Sequence, residues 1–377
     1  MILTNCAACA APLAHTAPRC VRCWTRYCDS TCQHDHWRRG HKQMCKKIHR
    51  GGNAEQYNAD KKYKEAVAVA VEACADDTKD QTCFICTQAL HWKTKEGLVR
   101  GCSCRGTAGF AHVSCLAEQA KILVAEAEEN NLGDKVLVER WRRWHTCSLC
   151  KQEYHGVVRC AIGWACWKTY VGRPETDATR GFAINQLGNG LDEANHHEEA
   201  LSVKEAQLSL LRRIGAGEEG ILVAQSNLAS TYGELGQMEK ALSVERDVYS
   251  GRLKFHGEQH PATLRAALNY ASSLGSLKRY AEAKPLLLKT MPVARRVLGE
   301  GHRVTLKTRW TYASSLCEDP DATLDDLNEA VTTLEDARRI ARRVFGGAHP
   351  ITGGLGRDLI KARAALRARE TPSPGSA

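Results

Sequence analysis

The stretch from Cys83 to Cys150 leaves this chain the fewest choices. Cys83 and Cys86, Cys102 and Cys104, His112 and Cys115, and Cys147 and Cys150 arrive as four close pairs. Two tetrahedral zinc sites are supplied this way, because a pair separated by two residues reaches one metal from a single tight turn. A second set precedes it: Cys6 and Cys9, Cys20 and Cys23, Cys28 and Cys32, and His41 and Cys45. Again there are eight ligands in four pairs, so four zinc ions are expected in all. Every site is filled by four protein ligands, which makes the metal structural and leaves no open position for metal-assisted hydrolysis. The ordered pairing carries this reading, more than the count of 18 cysteines.

The run CSCRGTAGFAHVSC at 102–115 resembles the central signature of the RING-CH (RING-variant) zinc finger. A PHD finger uses the same ligand types with a wider third-to-fourth gap and a shorter run to the histidine. The RING-CH resemblance implies a cross-brace, with Cys83, Cys86, His112 and Cys115 on one zinc and Cys102, Cys104, Cys147 and Cys150 on the other. The run CVRCWTRYCDSTCQHDHWRRGHKQMC at 20–45 resembles the MYND finger, through Gln33, Trp37 and His41 as well as the cysteines. That resemblance implies Cys6, Cys9, Cys28 and Cys32 on one zinc, and Cys20, Cys23, His41 and Cys45 on the other. It also implies a peptide-docking module that grips proline-containing segments, with Gln33 and Trp37 as contacts. Trp37 equally suits the cap of a minimal core, since fingers this small bury little else.

In a small secreted protein, so many cysteines would suggest disulfides. Here no basic leader is visible in MILTNCAACA, and a reducing cytoplasmic or nuclear compartment fits clustered metal-binding thiols. The longest apolar run, Ala66 to Ala75, contains Glu72 and is far short of a bilayer span, so a soluble chain without a membrane partner is expected. The formal charge of +10 overstates the basicity. Fourteen metal-bound thiolates offset by four dications lower it by six, to about +4. That is too mild to argue for nucleic acid.

In chain order, residues 1–47 read as the first finger, with His15, His34, His36 and His49 off its spacing and on its surface. Residues 48–80 read as a helical connector free of glycine and proline after Asn53, with Cys74 a small buried apolar residue. Residues 81–155 form the second finger. Its insertion from Cys115 to Cys147 predicts a helix ending near Asn131 and Gly133, followed by Trp141 and Trp144 on one helical face. Arg140, Arg142 and Arg143 read as solvated. Residues 156–180 predict a buried bridging helix in which Trp164 and Trp167 wedge the finger, and Cys160 and Cys166 belong to the core.

From Arg180 the texture becomes a repeat. NLASTYGELGQMEKALSV at 227–244 recurs as NYASSLGSLKRYAEAKPL at 269–286, a displacement of 42 residues. QLGNGLDEANHHEEALSV at 186–203 sits 41 before, and TYASSL at 311–316 sits 42 after. The loops repeat as well: GEQHPATL at 257–264, GEGHRVTL at 299–306 and GGAHPITG at 346–353. Their histidines, His260, His302 and His349, read as loop-packing residues. Small residues recur where paired helices must approach: Gly188 and Ala200, Ala229 and Ala241, Ala271 and Ala283, Ala313 and Ala330. This resembles kinesin-light-chain-type tetratricopeptide repeats, four of them over 181–370 including a capping helix from 352. A disordered tail at 371–377 is expected. The expected fold is therefore mainly α: two small cross-braced zinc fingers followed by an α-helical tetratricopeptide-repeat solenoid.

No nucleotide loop, methyltransferase core, hydrolase triad or redox pair is present, and all three module types bind proteins. Two functions follow. In the first, the second finger docks a ubiquitin-conjugating enzyme while the repeats and first finger select substrate, as in a RING-CH ubiquitin ligase, which works by positioning and has no covalent catalytic residue. In the second, the chain is a non-catalytic scaffold. Ile85 supplies the apolar residue that RING-type fingers present within the first pair. The tryptophan usual four residues after the sixth ligand is Gln119 here, and the last pair encloses Ser148 and Leu149 without proline. Trp141 or Trp144 is the only replacement the insertion offers. For the repeats, Gln186, Asn227, Asn269 and Thr311 fall at one helical position, and Ser230, Ser272 and Ser314 fall three later on the same face, a ladder suited to an extended peptide.

Overall fold

A computed structural model describes residues 5–11, 13 and 16–370. The expectations for the leader at 1–4, for His15 and for the tail at 371–377 lie outside the described residues. The chain is mostly helical. Among the described residues no strand forms, and only isolated bridges pair Arg19 with Arg26, Val99 with Ala111 and Thr146 with Glu153. No helix among them is long and apolar enough to cross a membrane. Two compact units result, residues 1–216 and 217–377.

In the first unit, α1 (Ser30–His36), a π-helical turn (Trp37–His41) and α2 (Lys42–Arg50) follow the N-terminal knuckles. Then come α3 (Ala54–Ala73), α4 (Val113–Glu129), α5 (Asp134–Trp141) and a 3-10 turn (Arg142–Trp144). The unit closes with α6 (Gly156–Tyr170), α7 (Ala178–Glu193) and α8 (His197–Arg213). Helix α6 is apolar all round because it is enclosed, with α3, α4 and α7 packed against it. Trp164, Trp167, Cys160 and Cys166 are all buried there. The α6–α7 crossing requires glycine on both helices. A Cβ on Gly163 would stand 3.0 Å from the Gln186 carbonyl oxygen, and one on Gly190 2.9 Å from that of Arg159. The stretch read as a connector is part of this core: Ala59, Tyr63, Val67 and Ala70 of α3 are buried in it, and the Tyr63 hydroxyl bonds the Ser114 hydroxyl at 3.0 Å.

The second unit is a run of antiparallel helices: α9 (Glu218–Glu234), α10 (Met238–His256), α11 (Pro261–Ser276), α12 (Tyr280–Leu298), α13 (Arg303–Glu318), α14 (Leu324–Phe345) and α15 (Pro350–Glu370). Each packs on the next, and α11 also reaches α9 and α13, as α13 reaches α15, so the stack is a tetratricopeptide-like solenoid. The repeated alanines, Ala229, Ala241, Ala271, Ala283, Ala313 and Ala330, are fully buried at these crossings. The recurring loop is a stop followed by a start. Gly257, Gly299 and Gly346 end α10, α12 and α14 at φ of 76°, 89° and 95°, where other residues are strained. The histidines, read as loop packing, instead cap the next helix. His260, His302 and His349 accept through Nδ1 from the backbone N–H two residues on, each at 3.2 Å.

Candidate metal centres and partner surfaces

Four knuckles share one backbone. In each, the residue after the second cysteine has positive φ: Ala10 (62°), Trp24 (61°), Thr87 (61°) and Lys151 (60°). Its N–H returns to the carbonyl of the first cysteine at 2.9, 2.9, 2.8 and 3.1 Å. This tight return turns both sulfurs inward and aims backbone N–H groups at them. Ile85 donates to Cys83 Sγ, Leu149 to Cys147 Sγ, and both Ala8 and Cys28 to Cys6 Sγ, all at 3.4 Å. Burial alone would raise the Cys6 thiol, but the N–H groups of Cys9, Ala8 and Cys28 outweigh it and bring it down to about 6. Thiolate is the form that binds metal.

The sixteen predicted residues come together in four sets: Cys6, Cys9, Cys28, Cys32; Cys20, Cys23, His41, Cys45; Cys83, Cys86, His112, Cys115; and Cys102, Cys104, Cys147, Cys150. Within each set the ligand atoms lie within 4.8 Å of one another. The individual edges are more telling. Cys9 and Cys28 sulfurs are 3.5 Å apart, Cys20 and Cys45 3.7 Å, and Cys104 and Cys147 3.8 Å. Cys23 Sγ is 3.3 Å from His41 Nε2, and Cys86 Sγ 3.3 Å from His112 Nδ1. A zinc–sulfur bond of about 2.3 Å gives a tetrahedral edge of about 3.8 Å, so the four clusters fit zinc. The second nitrogen of His112 is held by the Ala89 carbonyl at 3.3 Å, which fixes the tautomer and leaves Nδ1 facing the sulfurs. Gly109 closes the last set. At φ 87° it stands where a Cβ would lie 2.9 Å from Cys104 Sγ.

A fifth turn has the knuckle backbone without the cysteines, and the sequence reading missed it. Lys95, at φ 59°, returns its N–H to the His91 carbonyl at 2.9 Å, and His91 N–H reaches the Glu96 carbonyl at 3.0 Å. In place of a metal, His91 Nδ1 bonds the Thr94 N–H and hydroxyl at 3.1 and 2.8 Å. The His91 ring leans edge-on against metal-site His112, centroids 5.3 Å apart. This turn displays Trp92, 69% exposed, beside Leu90, 59% exposed. Its signal in the sequence is the HWKT spacing, two residues between a histidine and a hydrogen-bonding threonine.

The other predicted contacts divide. Ile85 is half-buried at its knuckle tip, Leu149 is exposed, and Gln119 is half-buried on α4. Trp141 and Trp144 are both buried, tilted against each other and against Tyr170, and so cannot serve as a surface anchor. Trp37 is exposed, its ring edge-on to His41 at 5.9 Å, and Gln33 is half-buried. In the repeats, Asn227, Asn269 and Ser272 are half-buried and Ser230 exposed, while Ser272 and Thr311 hydroxyls approach to 3.5 Å. Gln186 departs from this ladder. It is buried, and its side-chain amide bonds His145 Nδ1 at 2.8 Å. Burial, with Arg159 nearby, holds that imidazole down to about 4, so it stays neutral and accepts the amide N–H. Gln186 is a core residue with no face for a peptide.

Residues 83–132 match the family model of the RING-variant domain, and residues 221–292 that of a tetratricopeptide repeat. No curated protein matches the chain. Among solved structures it is similar to a single-substitution variant of a Podosopora anserina protein assigned as a kinesin light chain with nearly identical TPR-like repeats, at 20% identity and TM-score 0.42, covering 51% of this chain and 88% of that one. A second structure of that protein aligns at 19% identity and TM-score 0.39, covering 52% and 100%. BtubC (BKLC) from P. vanneervenii aligns at 15% identity and TM-score 0.38, covering 70% and 96%. The chain thus carries a RING-variant domain, tetratricopeptide repeats and four cysteine/histidine clusters able to hold zinc, the parts of a protein-interaction protein.

Proposed function

We propose that this chain is a RING-CH-type ubiquitin ligase held together by four structural zinc ions. The second finger (81–155) recruits the ubiquitin-conjugating enzyme. The repeats (181–370) and a MYND-type first finger (1–47) select the substrate. The observation that carries this is the RING-variant match over 83–132, which takes in Cys83, Cys86, His112 and Cys115 with Cys102 and Cys104, while Cys147 and Cys150 complete the second cluster beyond it and Ile85 stands at a knuckle tip. Zinc fixes the knuckles and supplies no reacting group, so activity rests on positioning. Trp92 takes the place of the aromatic anchor that Gln119 and the buried Trp141 and Trp144 do not provide. Asn227, Asn269, Ser230 and Ser272 hold the substrate backbone in the repeats, and Gln33 and Trp37 hold a proline-containing segment. The chain works inside the cell, in cytoplasm or nucleus.

One observation favours a second reading, a scaffold without ligase activity: α4 has no aromatic residue at the Gln119 position. Reconstituted ubiquitination against a panel of conjugating enzymes decides between them. For a ligase, Ile85→Ala stops chain formation while zinc content stays at four. Trp92→Ala slows it by roughly thirtyfold, the share of an anchor worth about 2 kcal/mol. No activity with any conjugating enzyme leaves the scaffold standing.

A further inference from the structure

We infer that the seam between α14 and α15 binds a phosphate group carried on a peptide. The two preceding seams show what this one lacks. At α10–α11 the Thr263 hydroxyl donates to the Arg252 carbonyl at 3.2 Å, and at α12–α13 Thr305 donates to Ala294 at 3.2 Å. Leu264 and Leu306 follow these threonines and are buried. By the shared Gly-x-x-His loop, Thr352 is the third threonine. It is buried, yet its hydroxyl has no hydrogen-bond partner. The leucine position is Gly353, whose missing side chain would meet nothing nearer than the Arg357 guanidinium at 3.6 Å.

A cleft of about 460 Å³ opens there. Four arginines line it, Arg338 and Arg342 from α14 with Arg357 and Arg363 from α15, and no acidic side chain does. Arg363 is paired with Glu335 at 2.6 Å. The side chains of Arg338 and Arg357 make no hydrogen bond or ion pair among the described residues. Arg338 occupies the position held by Tyr249 and Met291 in the earlier helices, eight residues before the stop glycine. Its Nε lies over Gly356, 3.2 Å from where a Cβ would stand. Where the earlier seams have a buried leucine this one has a glycine, and guanidinium groups rest on the glycine face beside the positive end of α15.

Guanidinium forks fit phosphate oxygens in pairs, and two uncompensated ones on a single cleft call for a dianion. Ile360, 71% exposed on the cleft wall, provides an apolar bed for a residue flanking the phosphate, which favours a peptide over a free ion.

The test immobilises the full-length chain and offers degenerate nonapeptide pools with a fixed central phosphoserine or serine. The phosphoserine pool should be retained at least tenfold over the serine pool. Arg338→Gln with Arg357→Gln should lose at least tenfold. Arg339→Gln with Arg343→Gln, the same charge removed from α14 outside the cleft, should change retention less than twofold. Gly353→Leu restores the leucine of the earlier seams without touching charge and should lose binding with an unchanged or raised melting temperature. Equal retention of both pools, or equal losses in the two arginine pairs, overturns the proposal. So does capture of vesicles containing phosphatidylinositol bisphosphate without capture of the phosphoserine pool.

Discussion

Glu245 on α10 is the residue whose surroundings depart furthest from those of an ordinary carboxylate in the repeats. It is buried, and the Ser273 hydroxyl donates to it in a short contact. Burial wins over that hydrogen bond and pushes its carboxyl up to about 7. A carboxyl raised on folding favours the protonated native state. Its stabilisation is complete below its ordinary value near 4.5 and is lost as pH rises through about 7. The loss at alkaline pH is on the order of 3 kcal/mol at most. In the full-length chain, Glu245→Gln should therefore melt higher than the parent at pH 8 and about equally at pH 4.5. A constant difference across that range would mean that Glu245 does not titrate there. Neither the burial nor the shift was visible beforehand, because a lone glutamate in VERDVYS reads as part of a solvated face.

At the scale of the element, the sequence pattern of the repeats was seen before its meaning. The spacing of Gly257, His260 and Thr263, repeated twice, marked the loops. That the histidine is an N-cap depends on one lone pair meeting one N–H at 3.2 Å, which no periodicity reports. His302→Ala should cost about 1 kcal/mol in urea denaturation, and His302→Asn should recover most of it. Equal losses would return His302 to loop packing. At the equivalent His260 cap, acidification should act in the same direction as an alanine change, since a protonated Nδ1 cannot accept. Burial, with His256 and Arg252 close by, already holds the His260 ring below the ordinary imidazole value. The stability it contributes is present above that ordinary value and is lost as pH falls through the lower folded one.

For the whole molecule, metal and apolar core divide the chain unequally. The first unit builds the second finger's cysteines into the same core as α3, α4 and α6, while the first finger's gather in a small core of their own around Tyr27. The core of the second unit, from Leu242 to Ala362, contains no ligand cluster among the described residues. Strong chelation should remove four zinc ions per chain by mass spectrometry of the metal, unfold the fingers and loosen α3 and α6. The helical signal of α9 to α15 should survive in circular dichroism. Two zinc ions per chain would mean that one finger is degenerate, and loss of all helical signal would mean that the second unit depends on metal.

Sequence alone determined the paired cysteines, the 42-residue period and the helical class, because each is a local spacing: a knuckle closes over four residues, and a repeat states its own length. Which pairs share a site was implied only by the resemblance to the RING-CH and MYND fingers, and the spacing itself did not say. What the tertiary structure decided was each side chain's exposure. Gln186 shares a helical position with Asn227 and Asn269, yet it bonds His145 because α7 meets α6 across glycines. Trp141 and Trp144 turn inward onto Tyr170, while Trp92, inconspicuous in sequence, is held outward by a metal-free knuckle. Exposure is set by which elements pack on a residue from far along the chain, and no local spacing encodes that.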